Sequence, residues 1–223
     1  MKNQFISVCE PKLNKNTRKY VLDCLKTEWI SSSGSYIDLF EKKWGDYCKK
    51  KHAVSVTSGT AALIIALKSL ELKSGDEVIL PSFTIISCVI AVLEAGGKPV
   101  LVDCDLSTWC MIPNEIEKKI TKKTKAILVV HMFGHPADMD KINQVVQGKK
   151  IFIIEDAAEA HGSKYKNKNV GSFGYISCFS FYVNKLITTG EGGMALTNDK
   201  KIFHRMKNLR NLAFNNSQRF SHN

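Results

Sequence analysis

"AVSVTSGTAALIIALKSL", residues 53–70, joins a short apolar run to a helix-like stretch through a small turn. The run AVSVT (53–57) is continuous rather than alternating, which is typical of a strand buried on both faces of a parallel sheet. The stretch TAALIIALKSL (60–70) is apolar almost all round, so we expect a helix buried against that sheet. A strand followed by a buried helix is the basic unit of an α/β fold.

The same alternation continues along the chain. Six further β-rich runs predict strands, at residues 77–81, 99–103, 126–131, 151–156, 177–181 and 193–197. Helix-like stretches lie between most of them, at residues 84–96, 113–121 and 138–146. The pattern predicts an α/β fold with a mainly parallel seven-stranded sheet flanked by helices. Residues 1–50 indicate an N-terminal arm and two helices, and residues 51–223 the main domain.

Composition limits the class of protein. No apolar run in the 223 residues reaches the roughly 18–20 needed to span a bilayer, and the N-terminus lacks the apolar core of a signal peptide. The seven cysteines are scattered and form no Cys-x-x-Cys pair. This usage predicts reduced, buried thiols in a cytoplasmic protein rather than a disulfide framework or a zinc site.

The net charge of +11 raises the question of nucleic-acid binding. The densest basic block, EKKITKKTK (117–125), directly precedes the apolar run AILVV, as in a helix that ends in lysines before a strand. No aromatic residues interleave the block, and no zinc-finger or RNA-recognition signature occurs. We therefore expect a solvated helix face, no nucleic-acid or membrane partner, and a charge compatible with small anionic substrates.

The candidate functional residues follow the predicted strands, because ligands of such sheets collect at the carboxyl ends of the strands. Ser58, Gly59 and Thr60 come directly after the first strand and open the buried helix. A small turn at a helix N-terminus offers N–H groups and a favourable dipole to a phosphate. Ser and Thr are also ordinary helix caps, so a phosphate site and a plain cap both remain open for this turn.

Two charged residues stand where burial makes charge costly. Asp156 ends an almost wholly apolar strand, and Lys185 lies between an apolar aromatic segment and a glycine cluster. Asp156 is either the partner of a cation or a helix cap. Lys185 is either a nucleophilic amine or a structural lysine that pairs with a carboxylate, and Ser180 and Asn184 offer further polar contacts. Pyridoxal phosphate (PLP) requires phosphate donors, an acid beside its pyridine nitrogen and a lysine for its aldehyde, so the combination predicts a PLP site.

The chain resembles the DegT/DnrJ family of PLP-dependent nucleotide-sugar aminotransferases over essentially its whole length. The likeness lies in VTSGTAALIIAL (56–67), GDEVILPSFT (75–84), TKAILVVHMFGHPADMD (124–140), IIEDAAEAHGSKYKNKNVGSFG (153–174) and FSFYVNKLITTGEGGMALTND (179–199). The motifs EDAAEA and NKLITTGEGGM are most similar to its perosamine-synthase branch.

This resemblance implies the large domain of a fold-type-I PLP-dependent transferase over residues 51–223, and a homodimer with sites near the subunit interface. It implies that Lys185 bonds to the cofactor and moves protons, and that Asp156 pairs with the pyridinium nitrogen. The remaining expected cofactor contacts are Ser58, Gly59, Thr60 and Ser180 at the phosphate, Glu159 near the phenolic oxygen and Ile85 against the ring. The implied reaction moves an amino group from glutamate to a 4-keto-6-deoxyhexose nucleotide for surface-polysaccharide biosynthesis.

Members of the family continue beyond the point that corresponds to QRFSHN (218–223), so we expect the C-terminal small domain to be absent from this chain. The alternative function is therefore a non-catalytic PLP-binding regulator or an inactive truncated paralogue.

Two other classes are disfavoured. GEGGMA (190–195) formally fits a dinucleotide motif, but it enters a predicted strand instead of leaving one. His131 and His135 have the spacing of helical metal ligands, but Gly134 and Pro136 argue against a helix there.

Overall fold

The computed structural model describes residues 5, 7, 10–32 and 34–212, with the backbone of residues 214–215 and 218–222. The predicted N-terminal arm lies partly outside these residues. The helices in the described parts are α1 (Lys15–Lys26), α2 (Ser35–Cys48), α3 (Gly59–Lys68), α4 (Ile86–Glu94), α5 (Pro113–Lys119), α6 (Met139–Val146) and α7 (Lys200–Arg210). The strands are β1 (His52–Val56), β2 (Glu77–Pro81), β3 (Lys98–Val102), β4 (Thr124–Val130), β5 (Phe152–Asp156), β6 (Lys164–Tyr165), β7 (Lys168–Asn169), β8 (Ile176–Ser180), β9 (Gly193–Thr197), β10 (Phe214–Asn215) and β11 (Gln218–His222).

Seven of these strands form one sheet in the order β1-β9-β8-β5-β4-β2-β3. Strands β3, β2, β4, β5 and β8 pair in parallel, and β9 runs antiparallel to both of its neighbours. The predicted mainly parallel seven-stranded sheet is confirmed, and each apolar run of the sequence supplies one strand with small shifts of its ends. The carboxyl ends of β1, β5 and β8 therefore meet at one edge, where β9 begins.

Helices cover both faces of the sheet, which explains why the strands are apolar without alternation. On one face α3, α4 and α7 pack through a core that includes Leu63, Cys88 and Ile202. On the other face α5 and α6 pack through Ile116 and Ile142, and α2 packs beside them through its own aromatic cluster. The apolar helix α3 is buried against the sheet, as its composition predicts.

Helix α7 is the main element that the sequence pattern did not reveal. It begins at Lys200 after an Asp199 side chain that accepts a hydrogen bond from the Ile202 N–H, a regular N-cap. Only Ile202 and Met206 are buried along its length, and lysines and arginines occupy much of the remainder. A helix with so narrow an apolar stripe gives a weak periodic signal.

The thiols largely follow the expectation of buried, reduced cysteines. Six cysteines lie in the described residues and all are free. The buried ones are Cys48, Cys88, Cys110 and Cys178, whereas Cys24 and Cys104 are partly exposed. Cys9 lies outside the described residues. Among the described helices, none has the length and apolar character required to cross a bilayer.

Candidate active site

A cavity of about 330 Å³ opens at the carboxyl edge where β1, β5 and β8 end. It is lined by Ser58, Gly59, Thr60, Leu63, Ile85, Ser87, Asp156, Ala158, Ser180, Tyr182, Asn184, Lys185 and Glu191. Seven of the eight residues predicted from sequence for the site are among them. The eighth, Glu159, does not line the cavity but contacts the Lys185 side chain. Residues separated by more than a hundred positions in the sequence are thus brought to one pocket.

The first wall of the cavity is the turn into α3. The Ser58 hydroxyl accepts a hydrogen bond of 3.1 Å from the Ala61 N–H, so this serine is a helix cap as well as a cavity residue. The Thr60 hydroxyl donates to Ser87 Oγ at 2.9 Å. Ser87 lies in the first turn of α4, and therefore two helix N-termini approach the same side of the cavity. The first N–H groups of each helix have no partner within their own helix and favour an anion.

Gly59 is required by the close approach of this turn to β8. A Cβ atom at Gly59 would lie 2.7 Å from Ser180 Cβ, closer than two side-chain carbon atoms approach, and 3.1 Å from Ser180 Oγ, a tight contact. Ser180 is itself buried, and its hydroxyl accepts from the Tyr182 N–H at 3.3 Å. Gly59 and the hydroxyls of Thr60 and Ser180 together form a small polar cradle in the cavity lining.

Asp156, another residue of the cavity lining, is buried, with 4% of its surface exposed. Its Oδ1 accepts from the Ala158 N–H at 3.0 Å, and its Oδ2 accepts from the Cys88 thiol at 3.2 Å. Burial raises the pKa of this carboxyl, and its two hydrogen bonds and the charge of Lys185 oppose that rise only in part. The acid therefore lines the cavity with only two hydrogen-bond donors from the described residues.

The segment after Asp156 corrects the interpretation of this residue as a helix cap. Residues 157–163 form turns and irregular backbone, so Asp156 does not cap a helix. The Asp156 side chain bonds the N–H two residues ahead, an arrangement that competes with helix formation. Gly162 then adopts a positive φ of 84°.

Lys185 lies in the connection between β8 and β9, and its side chain is 16% exposed. Its Nζ donates to Glu159 Oε1 at 3.2 Å, and Glu159 Oε2 accepts from the Phe133 N–H at 3.0 Å. The carboxylate partner considered for this lysine therefore exists, and it contacts Lys185 from outside the cavity lining. Glu159 holds the amine at the pocket instead of removing it from the site.

A second buried acid, Glu155, was not predicted from the sequence. It has no exposed surface and accepts hydrogen bonds from the Gly171 and Phe173 N–H groups, both at 2.9 Å. The only signal in the sequence was the pair of adjacent carboxylates at the end of an apolar run. Ser87, Tyr182 and Glu191, which line the cavity, were likewise missed because no motif distinguishes them from ordinary loop residues.

The histidine pair considered as a metal site has a different role. His131 Nε2 lies 3.2 Å from Glu155 Oε1, and its Nδ1 accepts from the Ala137 N–H at 3.1 Å. Because Nδ1 accepts, the proton of a neutral ring is on Nε2 and is donated to Glu155. Within the described ranges, no group of three or more His, Cys, Asp or Glu side chains is arranged to hold a metal ion.

Comparison with known proteins supplies independent information. The sequence profile of the DegT/DnrJ/EryC1/StrS aminotransferase family matches residues 11–223. The chain is 50% identical over 202 residues to a GDP-perosamine synthase of Escherichia coli, a match that covers 91% of this chain and 56% of that protein. The chain spans somewhat more than half the length of the curated relatives it matches.

Solved structures show the same fold. An aminotransferase from Psychrobacter cryohalolentis superposes with a TM-score of 0.89 at 34% identity, over 93% of this chain and 53% of that one. The E. coli GDP-4-keto-6-deoxy-D-mannose-3-dehydratase, solved with bound hydrated PLP, superposes with a TM-score of 0.89 at 28% identity, over 93% and 55% of the two chains. The α/β architecture is thus that of PLP-dependent enzymes.

Proposed function

We propose, from the premise that this chain belongs to the DegT/DnrJ/EryC1/StrS aminotransferase family, that it binds PLP and transfers an amino group to a keto-sugar nucleotide. The observation that carries the proposal is the cavity that Lys185 and Asp156 share with the Ser58–Thr60 turn. An amine, a buried acid and an anion-binding turn are the three groups that PLP needs. Each comes from a different strand end, so their convergence depends on the fold.

The residues present fit the cofactor. The glycine at position 59 keeps the cradle open between α3 and Ser180, where a phosphate would meet hydroxyl and N–H donors. Asp156 carries two hydrogen bonds and a pKa raised by burial, so a pyridinium N–H offers it the missing cationic donor. Ile85 lines the cavity and supplies an apolar contact for the ring.

When bound, PLP supplies an electron sink for the carbon that loses or gains a proton. The protein residues supply the rest. Lys185 would hold the cofactor through its aldehyde, and its free amine would move the proton at the reacting carbon. Glu159, 3.2 Å from Lys185 Nζ, keeps the amine at the cavity and accepts its hydrogen bond during that transfer. Asp156 would keep the pyridine nitrogen protonated.

The proposed substrate is a 4-keto-6-deoxyhexose nucleotide of the GDP-perosamine pathway, with glutamate as amino donor. The relative from E. coli is named for that product, and a net charge of +11 suits a diphosphate substrate. The activity belongs to amino-sugar and surface-polysaccharide biosynthesis in the cytoplasm.

We also propose a homodimer. Large apolar side chains adjoin the cavity residues at the protein surface: Ile86 is 64% exposed, Phe133 68% and Leu186 75%. Ile86 follows Ile85 in the chain, Leu186 follows Lys185, and the Phe133 N–H bonds to Glu159. Exposed apolar residues concentrated around a site favour an interaction surface. A second copy of the chain is the proposed occupant.

The direct test is cofactor capture. We expect purified protein to bind PLP with a yellow colour, and borohydride treatment followed by peptide mass spectrometry to find the adduct on Lys185. Lys185→Ala removes the adduct, whereas Lys168→Ala, which changes a surface lysine, retains it. A colourless wild-type protein without an adduct would refute the proposal.

Turnover requires a second measurement. The PLP-loaded protein is incubated with glutamate and GDP-4-keto-6-deoxymannose, and the amino sugar is detected by mass spectrometry. Formation of GDP-perosamine supports the enzyme. If the cofactor binds but no aminated product forms, either from this substrate or from UDP-linked 4-keto sugars, the non-catalytic PLP-binding protein is favoured instead.

A further inference from the structure

One carboxylate oxygen of Asp156 is held by a buried thiol. Cys88 lies in α4 with no exposed surface, and its Sγ is 3.2 Å from Asp156 Oδ2. The same sulfur is 3.2 Å from the hydroxyl oxygen of Thr84, which precedes α4 and is half-buried. Three side chains thus form a continuous chain of hydrogen bonds that ends on the proposed cofactor acid.

The direction of these bonds follows from the chemistry of the groups. The Cys88 thiol donates to Asp156 Oδ2, because a carboxylate oxygen is a far better acceptor than a thiol sulfur. The sulfur can then only accept from Thr84, whose hydroxyl must donate. Burial, and next the charge of Asp156, raise the pKa of the Cys88 thiol, so it stays protonated and remains a donor.

We propose that Cys88 is a positioning residue for Asp156, and that Thr84 orients the Cys88 thiol. This inference rests on the proposed role of Asp156 as partner of the cofactor. The thiol holds one carboxylate oxygen while the Ala158 N–H holds the other, which fixes the carboxylate plane relative to the cavity. A thiol is a weak donor and leaves the carboxylate more basic than a hydroxyl would.

Cys178 provides a matched comparison within the protein. It is also buried, and it lies opposite Asp156 in the register of β5 and β8. Among the described residues, however, its thiol has no side-chain hydrogen bond to Asp156. Replacing either cysteine with alanine removes a buried sulfur atom, but only Cys88→Ala removes a donor from the acid. Cys178→Ala therefore controls for loss of packing.

Infrared spectroscopy of the cofactor-free protein tests the geometry. The S–H stretching band of Cys88, identified as the band lost in Cys88→Ala, is expected at the lowered frequency of a hydrogen-bonded thiol. It should move when Asp156→Asn weakens the acceptor, and the band lost in Cys178→Ala should move less. The inference would be overturned if the Cys88 band lies at the frequency of a free thiol, or if its frequency does not change in Asp156→Asn.

Cofactor titration tests the consequence. We expect Cys88→Ala to weaken PLP binding by about three- to tenfold, the order of one lost hydrogen bond, and Cys178→Ala to change it less than about twofold. Cys88→Ser restores a donor and should restore binding. Because a hydroxyl donates more strongly, Cys88→Ser should also shift the pH dependence of the bound cofactor's absorption relative to wild type, which packing alone does not explain.

The outcomes separate the two proposals. If the wild-type protein does not bind PLP, the proposed function fails and the infrared measurement alone decides the Thr84–Cys88–Asp156 arrangement. If the wild type binds PLP and Cys88→Ala binds it equally, with an unchanged pH dependence, the positioning role is refuted. Should Cys88→Ala fail to fold, Cys88→Ser and Thr84→Val carry the test, because Thr84→Val removes the orienting donor at nearly constant volume and should shift the Cys88 S–H band.

Discussion

Glu155 and Asp156 are neighbours on β5, and both are buried, yet they have opposite electrostatic properties. Successive side chains of a strand point to opposite faces of the sheet, so the two carboxylates enter different environments. Burial raises the pKa of Glu155, but hydrogen bonds from His131, Gly174 and Ser177 outweigh it and hold the pKa to about 2. Asp156 has two donors, and its pKa is raised.

The number of donors decides what each acid can do. The acceptor sites of Glu155 are occupied by protein groups, and the buried ammonium of Lys50 lies close enough to interact with its charge. Such a carboxylate has no capacity left for a ligand and stabilises the 171–177 turn. Asp156 lines a cavity, and its carboxylate can still accept further hydrogen bonds. This is the condition expected of a ligand-binding acid. The two environments therefore predict a structural role for Glu155 and a ligand-binding role for Asp156.

The largest expected effect comes from breaking the Glu155 network. Glu155→Gln keeps the volume but replaces an acceptor of several N–H and O–H donors by a neutral amide, and it leaves Lys50 without the nearby anion. We expect the free energy of unfolding to fall by about 3–5 kcal/mol in urea titrations. Glu115→Gln, at a surface salt bridge with Lys118, should cost less than about 1 kcal/mol. Equal losses in the two variants would contradict a structural role for Glu155.

Acid unfolding should show the same network with a slightly smaller effect. The folded pKa of Glu155, about 2, lies below its unfolded value of about 4.3, so the unfolded chain takes up the proton first. The stabilisation is therefore complete above about pH 5 and is lost as the pH falls towards 2, by about 3 kcal/mol in total. Urea midpoints measured across this range should fall more steeply for wild type than for Glu155→Gln. Parallel pH profiles of the two proteins would contradict the assignment of this pH dependence to Glu155.

The sequence predicted the sheet and most of the site for a physical reason. Strands buried on both faces appear in the sequence as continuous apolar runs. Ligand-binding residues follow the carboxyl ends of such strands, which is why Ser58, Asp156 and Lys185 could be selected. The family likeness added Glu159 and Ile85, which no local pattern singles out. The roles of these residues stay predictions until the cofactor is tested.

What the sequence could not reveal depends on contacts between distant segments. The donors to Glu155 come from residues 131 and 171–177, and the thiol that holds Asp156 comes from residue 88. In "IIED" the two acids look equivalent, and only the three-dimensional environment separates them. The turns after Asp156 were missed because a side-chain hydrogen bond to Ala158 overrides the helical propensity of an alanine-rich segment.

The smallest expected effect, and the one of opposite sign, belongs to Asp156. Its folded pKa is raised above the unfolded value of about 3.9, so its contribution to stability is present below that pH and is lost as the pH rises through the folded pKa. In the cofactor-free protein, Asp156→Asn retains an acceptor for the Ala158 N–H and removes a buried charge. We expect it to raise the free energy of unfolding at neutral pH by up to about 1 kcal/mol, with the gain disappearing in acid. If urea titrations instead find a loss comparable with that of Glu155→Gln, then both acids are structural and the distinction between the two faces of β5 is wrong.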